Sequence, residues 1–393
     1  MTEDMYEKLG IDSGKKEVRK IFDQYVDNDF PRAFVNIVRD PFRPGEVFTQ
    51  HMDGDGSKFV QRLLIFAETG DVDVFCGAVD DAVSMNLGDI AAAGFVNQKI
   101  VISDVIDLNA FNVPKKEIME QIGRRFAELK KLYRSFGFNS FFFLGGETAD
   151  LPHQVQTIVF NASVYAEAKE SEIILGNTVP GDKIFGFASD GQAVWENEYN
   201  SGIMSNGLTL GRVKTMWAGY TSKYPHLIVS GNEYDGSYRV GDKDKRLTMP
   251  ISDALISPTR QWAILIKLLL EKLESKGIRN MLHGISMNTG GGATKIGHVG
   301  SGIYYKKRMP PLSGIFKIIQ ERSGEKYRNM YKSFNCGIGI DVVGEDDPKF
   351  KAALLEVSEE TAIKLFDLGR CHTYYGGGNR IELTTPYGIF NDY

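Results

Sequence analysis

Phe141-Phe142-Phe143-Leu144-Gly145-Gly146-Glu147-Thr148-Ala149-Asp150 is the stretch around which the chain is organised, an aromatic run that meets paired glycines and then two acids. Four consecutive apolar residues suit a strand buried on both faces. Gly145 and Gly146 are then expected to end that strand in a sharp turn where backbone can approach a ligand closely. Glu147 and Asp150 would emerge at the end of a rigid element. As acceptors they suit a divalent cation or a protonated ligand nitrogen, and a cation could carry a phosphate with it. Taken alone, the same residues also read as a solvated turn. Two further glycine-rich stretches weigh against that plainer reading: Asp53-Gly54-Asp55-Gly56-Ser57-Lys58 and Thr289-Gly290-Gly291-Gly292-Ala293-Thr294-Lys295.

A chain of 393 residues is long enough for two domains with separate cores, because single cores rarely grow beyond ~250–300 residues. The formal net charge is -5, with lysine and arginine scattered, which argues against a nucleic-acid partner. The N-terminal residues lack the basic and apolar regions of a signal peptide. The most apolar helical run, Trp262 to Leu270, carries Lys267 and falls short of the ~20 residues that cross a bilayer. A soluble, cytoplasmic protein with no membrane partner is expected. Cys76, Cys336 and Cys371 are odd in number and lack CxxC spacing, so they read as free thiols in a reducing compartment.

In chain order, Val18, Ile21, Phe22, Tyr25 and Val26 recur at helical spacing behind Ser13 and Gly14, and this stripe should dock on a core. Val47 to Met52 alternates as a strand and runs into the Asp53–Lys58 loop. A helix with Val60, Leu63, Leu64 and Ala67 inward should follow and stop at Gly70. This strand, loop and helix could seat phosphate, although it is not GxxxxGK[ST] and no Walker P-loop is present. The helix of about Val74 to Ala93 carries Asn86 and Asp89 on one face, a pair that reads more readily as solvated surface than as ligands. Gln98 to Ile106 is strand-like, Pro114 opens a long helix, and Val155 to Tyr165 is a long strand. The alternation points to an α/β domain, with a boundary at Glu170 to Gly181. In the second half, strands are expected over Lys183 to Ala188, Met281 to Met287 and Cys336 to Val343. Helices are expected from Pro258 through Leu273 and over Phe350 to Leu368. Tyr224 to Arg246 is polar and aperiodic and reads as a surface insertion.

The wording and order of these loops resemble the aminoimidazole ribonucleotide synthetase (phosphoribosylformylglycinamidine cyclo-ligase) family, in its longer bacterial branch. The resemblance rests on Tyr6-Glu7-Lys8-Leu9-Gly10-Ile11, Asp53 to Lys58, Met85-Asn86-Leu87-Gly88-Asp89 and Gly145 to Asp150. It continues through Ser205-Asn206-Gly207, Ser257-Pro258-Thr259-Arg260, Thr289 to Gly292 and Met330 to Gly337. It implies two α/β domains, residues 1–175 for ATP binding and dimerisation and 176–393 as the second, with an insertion at about 224–246. It further implies a homodimer whose N-terminal strands form a barrel, with ATP and Mg2+ in the cleft. The implied reaction is ATP-dependent ring closure of a small ribonucleotide.

On that resemblance, Asp53, Asp89 and Glu147 are expected to hold metal and Lys58 to serve as the phosphate's point charge, with Lys58, Asp89 and Glu147 catalytic. Asp53, Gly54, Gly56, Ser57, Lys58, Asn86, Gly145, Gly146 and Thr148 are assigned to ATP and its phosphates. Ser205, Asn206, Thr259, Arg260, Thr289, Gly290 and Gly291 are assigned to substrate; Arg260 would equally cap or pair on its own helix. The chain departs from the family at Met204 and Met287, where histidines are common, and methionine neither takes nor gives a proton. His283 lies on the same strand as Met287 but about 13 Å away, and His51 is two residues from Asp53. A kinase-like activity on another small molecule, or a nucleotide binder that has lost catalysis, stays open on sequence alone.

Overall fold

The computed structural model describes residues 5–11, 18, 21–391 and 393. Two sheets carry the architecture. The first contains β1 (Val38–Arg39), β2 (Glu46–Gly54), β3 (Ile100–Leu108), β4 (Phe141–Asp150) and β5 (Ile158–Lys169), in the order β1-β2-β5-β3-β4. Only β3 and β4 are parallel within it, and the helix Lys115–Ser135 makes the crossover between them. The second contains β6 (Lys183–Ala188), β7 (Leu282–Met287), β8 (Ile303–Arg308), β9 (Ile338–Gly344), β10 (Leu365–Thr373), β11 (Arg380–Thr385) and β12 (Gly388–Asn391). Its order is β12-β11-β8-β10-β6-β9-β7. Residues 170–182 carry no strand of either sheet. No helix among the described residues is long and apolar enough to cross a membrane.

The organising stretch behaves differently from its expected form. The strand does not stop at the glycines; β4 runs on to Asp150. Gly145 adopts a φ of 80°, and the pairing with β3 slips there: Ile102 faces Phe143, but Asp104 faces Gly146. One extra residue has been absorbed as a bulge. A Cβ at Gly146 would fall inside the Asp104 carboxylate, so this residue must lack one. Nor is the strand buried on both faces. Phe143 stacks on Phe126 of the crossover helix with ring centroids 4.0 Å apart, while Phe142 is 40% and Leu144 71% exposed on the other side.

The helix Cys76–Ala92 is buried along nearly its whole length. Its small and branched residues let it pack against β2 and β5 on one flank and against β7 and the helix Trp262–Ser275 on another. The buried apolar residues of the two sheets consequently form one continuous cluster rather than two separate cores.

Four further expectations need correction. Val18, Ile21, Phe22, Tyr25 and Val26 are exposed instead of docked, and Ser13 and Gly14 lie outside the described residues. The helix expected from Pro258 begins at Trp262, because residues 257–261 are non-helical and spent on contacts described below. The helix expected over Phe350 to Leu368 is Pro348–Thr361; Ala362 turns left-handed at φ 58°, and the chain enters β10. The segment 224–246 is irregular but not merely superficial. Tyr224 Oη donates to the Ala67 carbonyl at 3.1 Å, and Gln156 Nε2 donates to the carbonyls of His226 and Ile228, so the segment is strapped back onto the first half.

Candidate functional site

On the inner face of the first sheet, Asn86 spends its amide nitrogen on the carbonyls of Asp53, Ala82 and Ala162 at 2.8–3.0 Å. Its oxygen meets His51 Nδ1 at 3.2 Å, and His51 Nε2 lies 3.3 Å from Asp89 Oδ2. Asn86 and Asp89 are therefore buried, not solvated surface. Burial alone would lower the His51 pKa, but Asp89, with Asp53 and Asn86, outweighs it and raises the value. Asp89 Oδ1 is buried without a hydrogen-bond partner. Asp53 belongs to the same face, as do Asp104 and Gly146 on the neighbouring strands. Glu147 does not join them. It pairs in register with Val105, an outward-facing position, and its side chain is on the opposite face of the sheet. Thr148 is exposed and gives its N–H to Glu147 Oε1 at 3.0 Å. Among the described residues, no three His, Cys, Asp or Glu side chains gather closely enough to hold a metal by themselves. The expected trio of Asp53, Asp89 and Glu147 is thus reduced to two.

Lys58 is also corrected. It is fully buried, donating to Asp81 Oδ1 at 2.9 Å and to the Ser257 carbonyl at 2.6 Å, and is not presented to a phosphate. Asp81 is the hub that the sequence reading missed. Its Oδ1 also accepts from Ser205 Oγ at 2.8 Å, Thr259 N at 2.6 Å and Thr259 Oγ1 at 2.7 Å, while Oδ2 takes Arg62 Nη2 at 2.5 Å. Burial would push this carboxyl up, but Lys58 and Arg62 hold it at about 2. Asp55, buried beside it, is pushed well above the usual carboxylate range by that burial, with Arg62 opposing and Asp81 reinforcing the shift. Arg260 is likewise committed: its guanidinium pairs with both Glu196 oxygens at 2.9 and 3.0 Å and donates to the Ala188 and Gly191 carbonyls. It braces the second half, at the wall of a cavity of about 1060 Å³ that Arg62, Asp80, Glu196 and Thr259 also line.

The glycine loops do come together. Thr209 Oγ1 donates to Ser57 Oγ at 2.9 Å, a Cβ at Gly56 would lie 3.7 Å from the Ser205 carbonyl, and one at Gly290 would lie 3.6 Å from Asn206 Oδ1. The loops 54–57, 205–207 and 289–292 therefore border one another across the junction of the two sheets. The third is pinned from below. Lys307 Nζ donates to the Ala293 carbonyl at 2.7 Å and to Asp341 Oδ2 at 2.6 Å, and a Cβ at Gly292 would strike the Phe334 carbonyl. Thr289 is buried, Gly291 turns left-handed at φ 100°, and Asn335 is tied to Ser189, Gly202 and Gly337.

No protein-family model matches the sequence. The phosphoribosylformylglycinamidine cyclo-ligase of Methanococcus vannielii is 29% identical over 320 residues, covering 81% of this chain and 75% of that one. That of Methanocaldococcus jannaschii is 28% identical over 321 residues, covering 81% and 76%. The chain is a homologue of these cyclo-ligases. Among solved structures, phosphoribosylformylglycinamidine synthase II of Thermotoga maritima superposes with a TM-score of 0.55 at 10% identity, over 99% of this chain and 50% of that one. A chain of the HypE-HypF complex gives 0.52 at 15% identity, over 96% of this chain and 98% of that one. At such identities the two likenesses establish a shared fold.

In this cyclo-ligase homologue, Met204 and Met287 are both core residues. Met204 is buried at φ 57°, and the Met287 thioether packs over Gly88 of the helix Cys76–Ala92. His283 is occupied elsewhere: its Nδ1 lies 2.8 Å from Asp182 Oδ2, and this contact raises its pKa against the opposing effect of burial. A raised histidine pKa stabilises the fold fully below the unfolded value of ~6.5 and ceases to do so as pH rises through the folded value. His283→Gln is therefore expected to lower the melting temperature at pH 5.5 and to change it least at pH 9. An equal loss at both pH values would show that the pair does not act through charge.

Proposed function

We propose that the protein closes the imidazole ring of formylglycinamidine ribonucleotide at the expense of ATP, giving aminoimidazole ribonucleotide, ADP and phosphate in purine biosynthesis. The observation that carries this reading is the meeting of the three glycine loops beside the Asp53 and Asp89 face, in a homologue of named cyclo-ligases. ATP supplies the phosphoryl group that activates the amide-type oxygen, after which an internal nitrogen of the substrate closes the ring.

The chain's own residues divide the remaining work. Asp53 and Asp89 flank His51, and Asp89 Oδ1 lacks a partner. Mg2+ commonly takes one or two carboxylates together with phosphate oxygens and water, so these two acids fit a nucleotide-borne Mg2+ without a third. Gly54, Gly56 and Ser57 offer backbone to the phosphates. Gly145, Gly146 and Thr148 belong to the far end of the same sheet, three strands or about 14 Å from Asp53. Ser205, Asn206, Gly290 and Gly291 face the ribonucleotide, and Asp81, Thr259 and Thr289 position them. On this reading residues 1–175 bind ATP and 176–393 complete the cleft. Incubation with ATP, Mg2+ and formylglycinamidine ribonucleotide should yield aminoimidazole product and ADP in equal amounts. ADP without ring product would point to kinase-like chemistry, and neither product would sink the proposal.

The protein is further proposed to work in the cytoplasm as a homodimer. What supports the dimer is the outer face of the first sheet, where Met52, Val105, Phe142, Leu144 and Val159 are exposed together. Covering that face with a second copy would account for it. Leu144→Asp is expected to halve the mass seen by sedimentation while leaving the circular dichroism spectrum unchanged. Unaltered mass for this variant would remove the face from the interface.

A further inference from the structure

The Ser57–Thr209 contact joins the helix Lys58–Thr69 to the helix Leu208–Thr215. One turn along each helix stand Gln61 and Arg212, four residues from Ser57 and three from Thr209, and so on the same facing sides. Both are buried. Neither polar atom of Gln61 has a hydrogen-bond partner, and neither do Nε and Nη1 of Arg212. Asn206 Nδ2, two residues before the second helix, is also buried and without a partner. Six lysines and arginines are buried among the described residues. Five of them have an acid: Lys58 and Arg62 share Asp81, Arg260 has Glu196, Lys267 has Glu271 and Lys307 has Asp341. Arg212 has none. Its guanidinium carbon lies instead 5.7 Å from the ring centroid of Tyr234, and the guanidinium opposes the rise in pKa that burial gives the tyrosine hydroxyl.

A buried guanidinium without a counter-charge is unfavourable unless an anion arrives to complete it. The unpartnered donors on the two helix starts are the Nε–H and Nη1 hydrogens of Arg212 and the amide nitrogens of Gln61 and Asn206. We propose that Arg212, with Gln61 and Asn206, is the phosphate-monoester anchor of the cleft, covered by Tyr234 of the strap over residues 224–246. Arginine keeps its charge at any working pH, and its N–H groups make charge-assisted hydrogen bonds to phosphate oxygens. Its carrier is the 5′-phosphate of the ribonucleotide rather than the ATP chain. Arg212 stands with the second-half loops, whereas Asp53 and Asp89 lie on the first sheet's face. The identity of the carrier rests on the ring-closure reading; the anion site itself does not.

The test compares wild type with Arg212→Met, which keeps length and removes charge. Inorganic phosphate and ribose 5-phosphate are each expected to raise the wild-type Tm and to leave that of R212M unmoved, while ATP with Mg2+ raises both. Without ligand, R212M should melt no lower than wild type, because an uncompensated buried charge has gone. In ring closure its KM for ribonucleotide should rise on the order of 10²-fold, with KM for ATP within about twofold. Gln61→Leu, a smaller change, should weaken ribose 5-phosphate by about tenfold and decides the matter if R212M does not fold. The proposal is overturned if phosphate and ribose 5-phosphate stabilise wild type and variants alike, if they stabilise none, or if only ATP binding is lost. A ribose 5-phosphate shift that needs Arg212, in a protein that closes no ring, would sink the proposed reaction and leave this site standing.

Discussion

Asp81→Asn is expected to lower folding stability by about 3–5 kcal/mol, the usual consequence of removing one member of a buried ion pair. The reason is local. Lys58 and Arg62 are both buried and both lean on this carboxylate, so the amide would leave two cations with only the Asp55 carboxyl, 3.6 Å from Arg62 and favoured as neutral by burial, beside them. Asp55→Asn, one side chain away, should change stability by less than about 1 kcal/mol, because burial already favours the neutral form of that acid. The acid limb follows from the same geometry. Asp81 is held at about 2, below its unfolded value, so its contribution is present above ~3.9 and disappears as pH falls toward 2. Urea midpoints for the two variants, with wild-type melts from pH 7 to pH 2, would check both statements. Equal losses for Asp55→Asn and Asp81→Asn would mean that the charges are shared differently from the arrangement described.

Asp89→Asn should lower turnover by on the order of 10²-fold or more while moving the melting temperature by only a few degrees. The substitution preserves the shape of a side chain packed inside the helix Cys76–Ala92 and removes only its charge. What is lost is the carboxylate whose Oδ1 has no partner within the protein and whose Oδ2 meets His51. The dependence of kcat on Mg2+ concentration is the telling measurement. Wild-type turnover by the variant at limiting Mg2+ would remove Asp89 from the nucleotide site.

The mistaken placement of Glu147 shows where sequence reading ends. Counting alternate residues onward from Phe143 puts Gly145 and Glu147 on the inner face with Asp53. The bulge consumes one residue and inverts that count, and it is defined only by pairing with β3, some forty residues earlier. Lys58 and Arg260 fail for a related reason. A motif position suggests a cation facing ligand, but whether the cation is already spent depends on Asp81, 23 residues from Lys58, and on Glu196, 64 from Arg260. Local signals were read well where the cause is local. Gly70 stops its helix at φ 74° with its N–H on the Phe66 carbonyl, and β6 spans Lys183–Ala188 as its apolar run suggests. Asp81 was legible in principle, because an acid beside Val79, Ala82 and Val83 in an apolar helix must find partners when buried. Arg212 carried no such signal, since only the fold reveals that it lacks one.

The continuous interior bears on how the polypeptide can be divided. A protease cut within residues 170–182 would sever the backbone but not the contact between the helix Cys76–Ala92 and Trp262 and Met287. Nicked protein should thus remain one particle and unfold in a single calorimetric transition. Residues 1–175 produced alone would instead present the uncovered flank of that helix to water and precipitate, unless residues 176–393 were synthesised beside them. The two sheets are separate in topology but share one buried apolar cluster.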